Sequence, residues 1–142
     1  MTARRALVWL TGFLAVTATL GGSAIMLDIL GLDEADLDGS PFSSYLVPGL
    51  ALLVLVGGMA TAAVIALRRS AMNAPLVAAA SGLAIVIFEI VQIRYITFHP
   101  LQVAYLAVGG LIVALAAWVW TRDARRRPAG AHPAERGYDS GE

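Results

Sequence analysis

Residues 75–97 read PLVAAASGLAIVIFEIVQIRYIT, and this stretch decides the fold class of the chain. Apolar and small residues dominate it, and its charged residues are Glu89 and Arg94. A helix rises 1.5 Å per residue, so about 20 such residues cross the hydrocarbon core of a bilayer. Because lipid offers no hydrogen-bond partner to unpaired backbone groups, we predict that the stretch forms a transmembrane helix.

Three further stretches of similar length and character lie at residues 6–27, 43–67 and 101–121. Hydrophobic residues make up 58% of the 142-residue chain and charged residues only 14%, and the mean hydropathy is +0.75. Soluble domains carry about a quarter charged residues, which excludes that class. The strand-like alternation of a membrane barrel is also missing. The predicted fold class is therefore all-α, a transmembrane four-helix bundle.

The sequence divides into a transmembrane domain at residues 1–121 and a cytoplasmic tail at residues 122–142. The tail lacks apolar periodicity and is rich in Arg, Pro and Gly, so we predict that it is disordered. An acidic outer loop, residues 28–42, joins the first two spans. The alternative of a cleaved signal peptide rests on the MTARR start, but the apolar run that follows is longer than a usual signal core.

The arginines predict how the chain is threaded. They flank one side of the predicted bundle, before the first span and after the second and fourth: Arg4, Arg5, Arg68, Arg69, Arg122 and residues 125–127. By the positive-inside rule both termini are cytoplasmic. Every basic residue is Arg and none is Lys, a composition typical of GC-rich bacteria. We therefore expect a multi-pass protein of the bacterial cytoplasmic (inner) membrane.

Several kinds of chemistry are excluded by composition. The chain has no Cys and only two His, which removes thiol chemistry and haem held by paired His within the membrane. A zero net charge gives no reason to expect a nucleic-acid partner. Residues 34–39 echo the start of a calcium-binding loop, but Tyr45 stands where the bidentate Glu is required. We expect neither an enzyme, nor a cofactor, nor a metal site.

Small residues indicate where the helices pack, because helices in lipid associate where their backbones approach closely. The predicted packing positions are Gly58, Ala62, Gly82 and Gly110. Such small-residue positions are more numerous than the packing of one small bundle requires, so some of them can instead contact a partner chain or a second copy. Pro48, one turn into the second span, is expected to loosen the first turns of that helix.

Glu89 is the one acidic residue deep in a span, roughly 12 Å below the outer end of the third span. A carboxylate at that depth is costly, so it must be neutral, paired or beside a wet cavity. A helical projection places Gln92, Tyr95 and His99 near the same face. These four residues form the candidate site for ligand binding or proton coupling. The competing interpretation is that they are hydrogen-bonding contacts between helices.

The run GSPFSSYLVPGL at residues 39–50, followed by Glu89, Gln92 and the Pro100-Leu-Gln turn, resembles an uncharacterised family of small bacterial four-span integral membrane proteins. The resemblance implies a shared fold and carries no activity or site residues.

Three functional hypotheses follow from these observations. The first is a non-enzymatic accessory or assembly factor that acts through helix–helix contacts with a membrane-protein partner. The second is a small homo-oligomeric transporter with Glu89 as the coupling acid, and the third is a lipid- or quinone-binding membrane protein. All three share the lipid bilayer as the surrounding medium, and none involves nucleic acid.

Overall fold

The computed structural model describes residues 2–31, 38–39, 41–95 and 99–126, and all regular structure in these ranges is helical. The long helices are α1 (Ala3–Met26), α2 (Leu46–Arg68), α3 (Ala74–Tyr95) and α4 (Pro100–Arg126). All four are long and apolar enough to cross a membrane. The prediction of an all-helical chain with four apolar spans is therefore confirmed, and it fits a small multi-pass membrane protein.

The helices run antiparallel in chain order. Helix α1 packs along the whole length of α2, α3 packs against α4, and contacts of α2 with α3 and of α1 with α4 close the bundle. The start of α1 thus lies beside the end of α2, where Arg4 Nη2 donates a hydrogen bond to the Leu67 carbonyl oxygen at 3.2 Å. We call this the arginine end of the bundle, and the opposite end the cavity end.

Glycines allow the closest helix contacts. A Cβ atom on Gly22 of α1 would lie 2.7 Å from the carbonyl oxygen of Gly49 on α2. A Cβ on Gly82 of α3 would lie 2.8 Å from the carbonyl oxygen of Gly109 on α4. Real Cβ atoms do not approach backbone oxygens this closely, so both helix pairs depend on the missing side chains. Small residues therefore mediate the packing, as expected for helices in lipid.

Two of the predicted packing glycines do not contact another helix within the chain, whereas the glycine before each of them does. Gly58 and Gly110 are exposed, and a Cβ on either would meet no atom within 4 Å. Their neighbours make the contacts within the chain: Gly109 meets Gly82, and a Cβ on Gly57 would lie 2.9 Å from the Thr19 hydroxyl oxygen of α1. As intramolecular packing positions, Gly58 and Gly110 are thus replaced by Gly57 and Gly109.

Ala62 shows the same offset, because it is exposed while Ala63 is fully buried. The physical reason is common to all three cases. Each predicted residue has a small neighbour in the sequence, and the spans are apolar on every side. Spacing alone therefore does not say which of two adjacent small residues faces another helix.

Helix boundaries differ in detail from the predicted spans. Helix α2 begins at Leu46, so Pro48 falls in its first turn, where its missing N–H costs no helical hydrogen bond. The backbone then follows a wider π-helical pattern over Leu52–Gly57. Helix α4 continues through Arg126, beyond the predicted end of the fourth span at residue 121, so the first part of the predicted tail is helical. The rest of the tail lies outside the described residues.

Helices α1 and α2 end in the same capping arrangement. After α2, the Ser70 N–H donates to Leu67 and the Ala71 N–H to Ala66. This is the Schellman pattern, whose central residue adopts a left-handed conformation and is usually Gly. Here Ser70 takes that position with φ 53°, and Asp28 takes it after α1 with φ 53°. Two residues that carry a Cβ thus occupy positions that favour glycine.

The two ends of the bundle are packed differently. Towards the arginine end, a continuous core of aliphatic and alanine side chains fills the interior, including Leu7, Leu14, Ala63, Ala74 and Ala116. The outer surface carries large exposed apolar side chains on all four helices. Such a surface suits lipid rather than water. Towards the cavity end the interior is incompletely filled.

Candidate functional site

A cavity of about 510 Å³ lies between the helices at the cavity end. All four helices contribute to its wall, through the last third of α1, the start of α2, the second half of α3 and the start of α4. Its lining residues are Thr17, Ala18, Gly21, Ile25, Leu30, Tyr45, Pro48, Leu52, Ile85, Phe88, Glu89, Gln92, His99, Leu101, Gln102 and Tyr105. The exposed residues Leu30 and Leu101 belong to this lining, so the cavity reaches the surface.

Glu89 lies on this wall and is only 4% exposed. Its Oε2 atom is fully enclosed and has no hydrogen-bond partner among the described residues. Buried polar atoms nearly always have a partner, because leaving one unsatisfied costs roughly 1–3 kcal/mol. Glu89 therefore combines a place on the cavity wall with one unsatisfied carboxyl oxygen, which folding alone does not explain.

Three of the four predicted site residues lie together. Glu89, Gln92 and His99 all line the cavity, whereas Tyr95 does not. Tyr95 is 41% exposed and lies instead on an apolar groove of about 370 Å³ between α2 and α3. Because Tyr95 ends α3, it lies beyond the part of the helix that the other helices enclose.

Gln102 is a cavity residue that the sequence analysis did not single out. It is only 5% exposed, and its Oε1 accepts a hydrogen bond from the His99 backbone N–H at 3.0 Å. In return, His99 Nδ1 accepts from the Leu101 N–H at 3.2 Å. This reciprocal arrangement is a capping box at the start of α4, with His in place of the usual Ser or Thr. His99 thus has a structural role besides lining the cavity.

Among the described lining residues there is no Arg, and Glu89 is the one acidic side chain. Arg94, on the same helix, is exposed and does not line the cavity. The described wall therefore combines one carboxyl group and one imidazole with apolar and uncharged polar side chains.

Three aromatic residues complete the wall. Tyr45 immediately precedes α2, Phe88 adjoins Glu89 on α3, and Tyr105 lies one turn into α4. They come from different parts of the sequence, so no sequence motif could have predicted that they lie together. Phe88 and Gln92 also line the groove between α2 and α3, and they form part of a thin partition between the two spaces.

The lining has the composition of a small-molecule binding site. The described residues contain no group of three or more His, Asp or Glu side chains that could hold a metal ion. An apolar wall with a few polar groups is the usual composition of a small-molecule site, and such sites commonly measure about 300–1,000 Å³. A solute with an apolar body and a hydrogen-bond donor could hydrogen-bond to the carboxyl group of Glu89 on this wall.

Comparison with known proteins gives no further identification: no family model, no curated protein and no solved structure matches the chain. The resemblance to a family of small bacterial four-span proteins is thus supported only at the level of four apolar helices.

Proposed function

We propose that the chain is an integral protein of the bacterial cytoplasmic membrane that binds a small amphipathic solute without transforming it. The observation that carries the proposal is the cavity of about 510 Å³ with the buried carboxyl group of Glu89 on its wall. The proposal keeps the non-enzymatic character expected from the sequence. It favours the ligand-binding hypothesis over the accessory factor, because the cavity supplies a defined site for a ligand.

The distribution of charge supports an orientation with both termini in the cytoplasm. The arginine end carries Arg4, Arg5, Arg68, Arg69, Arg122 and Arg125. At the cavity end, the described charged residues outside the cavity are Asp28, Asp38 and Arg94. Under the positive-inside rule the cavity end faces away from the cytoplasm. In that orientation the site receives its solute from the outer leaflet or the external space.

Blocking the cavity tests the proposal. A Cβ on Gly21 would meet nothing nearer than Leu52 Cδ2 at 3.5 Å, so Gly21→Leu places its bulk in the cavity without a backbone clash. Gly110→Leu is the matched control, because Gly110 has open space around it on the outside of the bundle. We expect Gly21→Leu to abolish binding and Gly110→Leu to leave it unchanged.

The measurement is equilibrium dialysis of adamantanol, a compact apolar cage with one hydroxyl group, against the protein in lipid nanodiscs. Empty nanodiscs account for partition into lipid. Saturable binding that Gly21→Leu removes supports the proposal. Absence of saturable binding, or equal binding by Gly21→Leu and the wild-type chain, contradicts it.

A second candidate function is the accessory or assembly factor. Gly58 and Ala62 are both exposed and lie four residues apart, on one outward face of α2. That face could receive a helix of a membrane-protein partner or of a second copy. Gly58→Leu should then abolish co-purification of a stoichiometric partner in mild detergent, while Leu111→Ala on the outside of α4 should not. Identical co-purification by the two variants would count against this function.

The transporter hypothesis uses the same cavity and adds translocation. The packed core towards the arginine end leaves the cavity accessible from one end of the bundle. Transport would therefore require a second conformation that opens the other end. Proteoliposomes with a pH gradient would show solute-coupled proton flux if Glu89 is the coupling acid, and Glu89→Gln would abolish that flux.

A further inference from the structure

We infer that the solute of this cavity is an organic cation: a protonated amine on a compact apolar body, with its N–H groups directed at the carboxyl group of Glu89. The inference rests on the proposed binding function and names the chemical class of the ligand.

The first argument is the lack of an internal counter-ion. Glu89 Oε2 is enclosed and has no partner among the described residues, and neither Arg94 nor any other basic side chain of these residues lines the cavity. His99 Nδ1 accepts a hydrogen bond from the Leu101 N–H, so this nitrogen donates none to Glu89. An ammonium group at the cavity wall would bring a positive charge and hydrogen-bond donors to the carboxyl group of Glu89. Burial of a charge becomes favourable only when it is paired and hydrogen-bonded in this way.

The second argument excludes the other charge class. An anionic solute would enter a space that offers it no cation, next to a carboxyl group. Like charges at short distance in a low-dielectric site repel strongly. A neutral alcohol can donate one hydrogen bond to Glu89, but it has no charge that the carboxylate could attract. The site therefore discriminates by the head group of the solute rather than by its apolar body.

The third argument concerns the wall around Glu89. The rings of Tyr45, Phe88 and Tyr105 line the same cavity. The faces of aromatic rings attract cations, by about 0.5–2 kcal/mol for a desolvated cation close to the ring. The side-chain oxygen of Gln102 is already engaged by the His99 N–H, so Gln92 is the amide in the lining whose oxygen remains for an ammonium hydrogen.

The test compares three solutes that differ only in their head group: adamantyl ammonium, adamantanol and adamantane carboxylate. Binding is measured at pH 7 by equilibrium dialysis against nanodiscs that contain the wild-type chain or a variant, with empty nanodiscs subtracted. Glu89→Gln keeps the shape of the side chain and removes its capacity for charge. Asp28→Asn is the matched control, because it makes the same change outside the cavity, and Asn tolerates the left-handed conformation of that residue.

We expect the ammonium compound to bind at least tenfold more tightly than the alcohol, and the carboxylate not to bind. Glu89→Gln should lower the affinity for the ammonium compound at least tenfold and change that for the alcohol less than threefold. Asp28→Asn should change neither, and thermal unfolding of both variants checks that they are folded.

The inference fails if the ammonium and the alcohol bind with equal affinity, or if Glu89→Gln weakens both alike. The proposed binding function survives that result as long as Gly21→Leu still abolishes binding of the alcohol. If none of the three solutes binds saturably to the wild-type chain, both the inference and the proposed function are overturned.

Discussion

At the scale of single residues, the position of Glu89 in the proposed site carries a cost in stability. Its Oε2 atom is buried without a partner among the described residues, and the side chain is 4% exposed. Side chains of this kind lower the stability of the folded state and persist where function requires them. Within lipid the cost is larger than in water, since no solvent reaches the unpaired oxygen.

Replacing Glu89 with Met should therefore stabilise the protein. We expect the free energy of unfolding to rise by about 1–3 kcal/mol, because Met fills a similar volume and leaves no unsatisfied oxygen. Thermal unfolding in detergent measures the change, and Leu83→Met, an exposed position on the same helix, is the control. A Glu89→Met variant less stable than the wild-type chain would mean that the carboxyl group has an internal partner.

Ser70 offers a second test at this scale. It holds the left-handed position of the cap after α2 with φ 53°, a conformation that costs a residue with a Cβ about 1–2 kcal/mol. Ser70→Gly should raise the stability by roughly 0.5–1 kcal/mol, and the temperature of unfolding reports the gain. Ala66→Gly, four residues earlier in the last turn of the same helix, should lower it by up to about 1 kcal/mol. Stabilisation by both variants, or by neither, would contradict this account of the cap.

At the scale of helices, contact between backbones decides which glycines matter. The Cβ position of Gly109 faces the Gly82 carbonyl oxygen at 2.8 Å, whereas that of Gly110 faces open space. The two residues are adjacent and share the same helical environment. They therefore form a matched pair in which helix propensity cancels and only packing differs.

We predict that Gly109→Val destabilises the bundle, because α3 and α4 would have to separate. The expected loss is about 1–3 kcal/mol, the usual cost of overpacking. Gly110→Val should be neutral within about 0.5 kcal/mol. Chemical denaturation in mild detergent provides the comparison. A larger loss for Gly110→Val would indicate that the outward face of α4 contacts a second chain.

The sequence predicted the positions of the helices better than it predicted which residues face the interior of the bundle. Long apolar runs bounded by Arg, Asp and Pro predicted the four spans, because hydrocarbon leaves the backbone no alternative to a helix. The inward-facing residue of pairs such as Gly57 and Gly58 was not predictable. Lipid-facing and helix-facing positions are equally apolar, so the amphipathic pattern that orients helices in soluble proteins is missing.

The same limit explains which site residues were predictable. Glu89 and Gln92 are polar residues within an apolar span, and their cost in lipid marks them from sequence alone. Gln102 lies at a helix end, where polar residues are common, so its residue type did not indicate a site. Its burial depends on the packing of α4. Tyr45 and Tyr105 become cavity residues only when helices from distant parts of the chain assemble.

At the scale of the whole molecule, charge and packing follow the same axis. The arginine end combines a filled core with basic residues, including Arg122, whose guanidinium carbon lies 3.6 Å from the centre of the Trp118 ring. Arg and Trp are typical of the membrane interface, and Arg is enriched on the cytoplasmic side. The cavity end has fewer described basic residues and an incompletely filled interior.

The lack of Cys in the chain makes this orientation straightforward to test. Asp38 and Met72 are exposed and lie in connections at opposite ends of the bundle. In intact cells, a membrane-impermeant maleimide should label Asp38→Cys and should label Met72→Cys only after permeabilisation. Labelling in the reverse order would place the arginine end outside, and labelling of the wild-type chain would reveal a non-specific reaction.

The close approach of Gly22 to Gly49 bears on the size of the ligand in the proposed binding function. These two glycines adjoin Gly21 and Pro48, which belong to the cavity wall. Their backbones therefore fix how closely the first two helices approach each other beside the cavity. We expect a methyl group added at either glycine to push these helices apart and to widen the cavity. In the proposed site, the size of the ligand would thus depend on this glycine contact and its charge on Glu89.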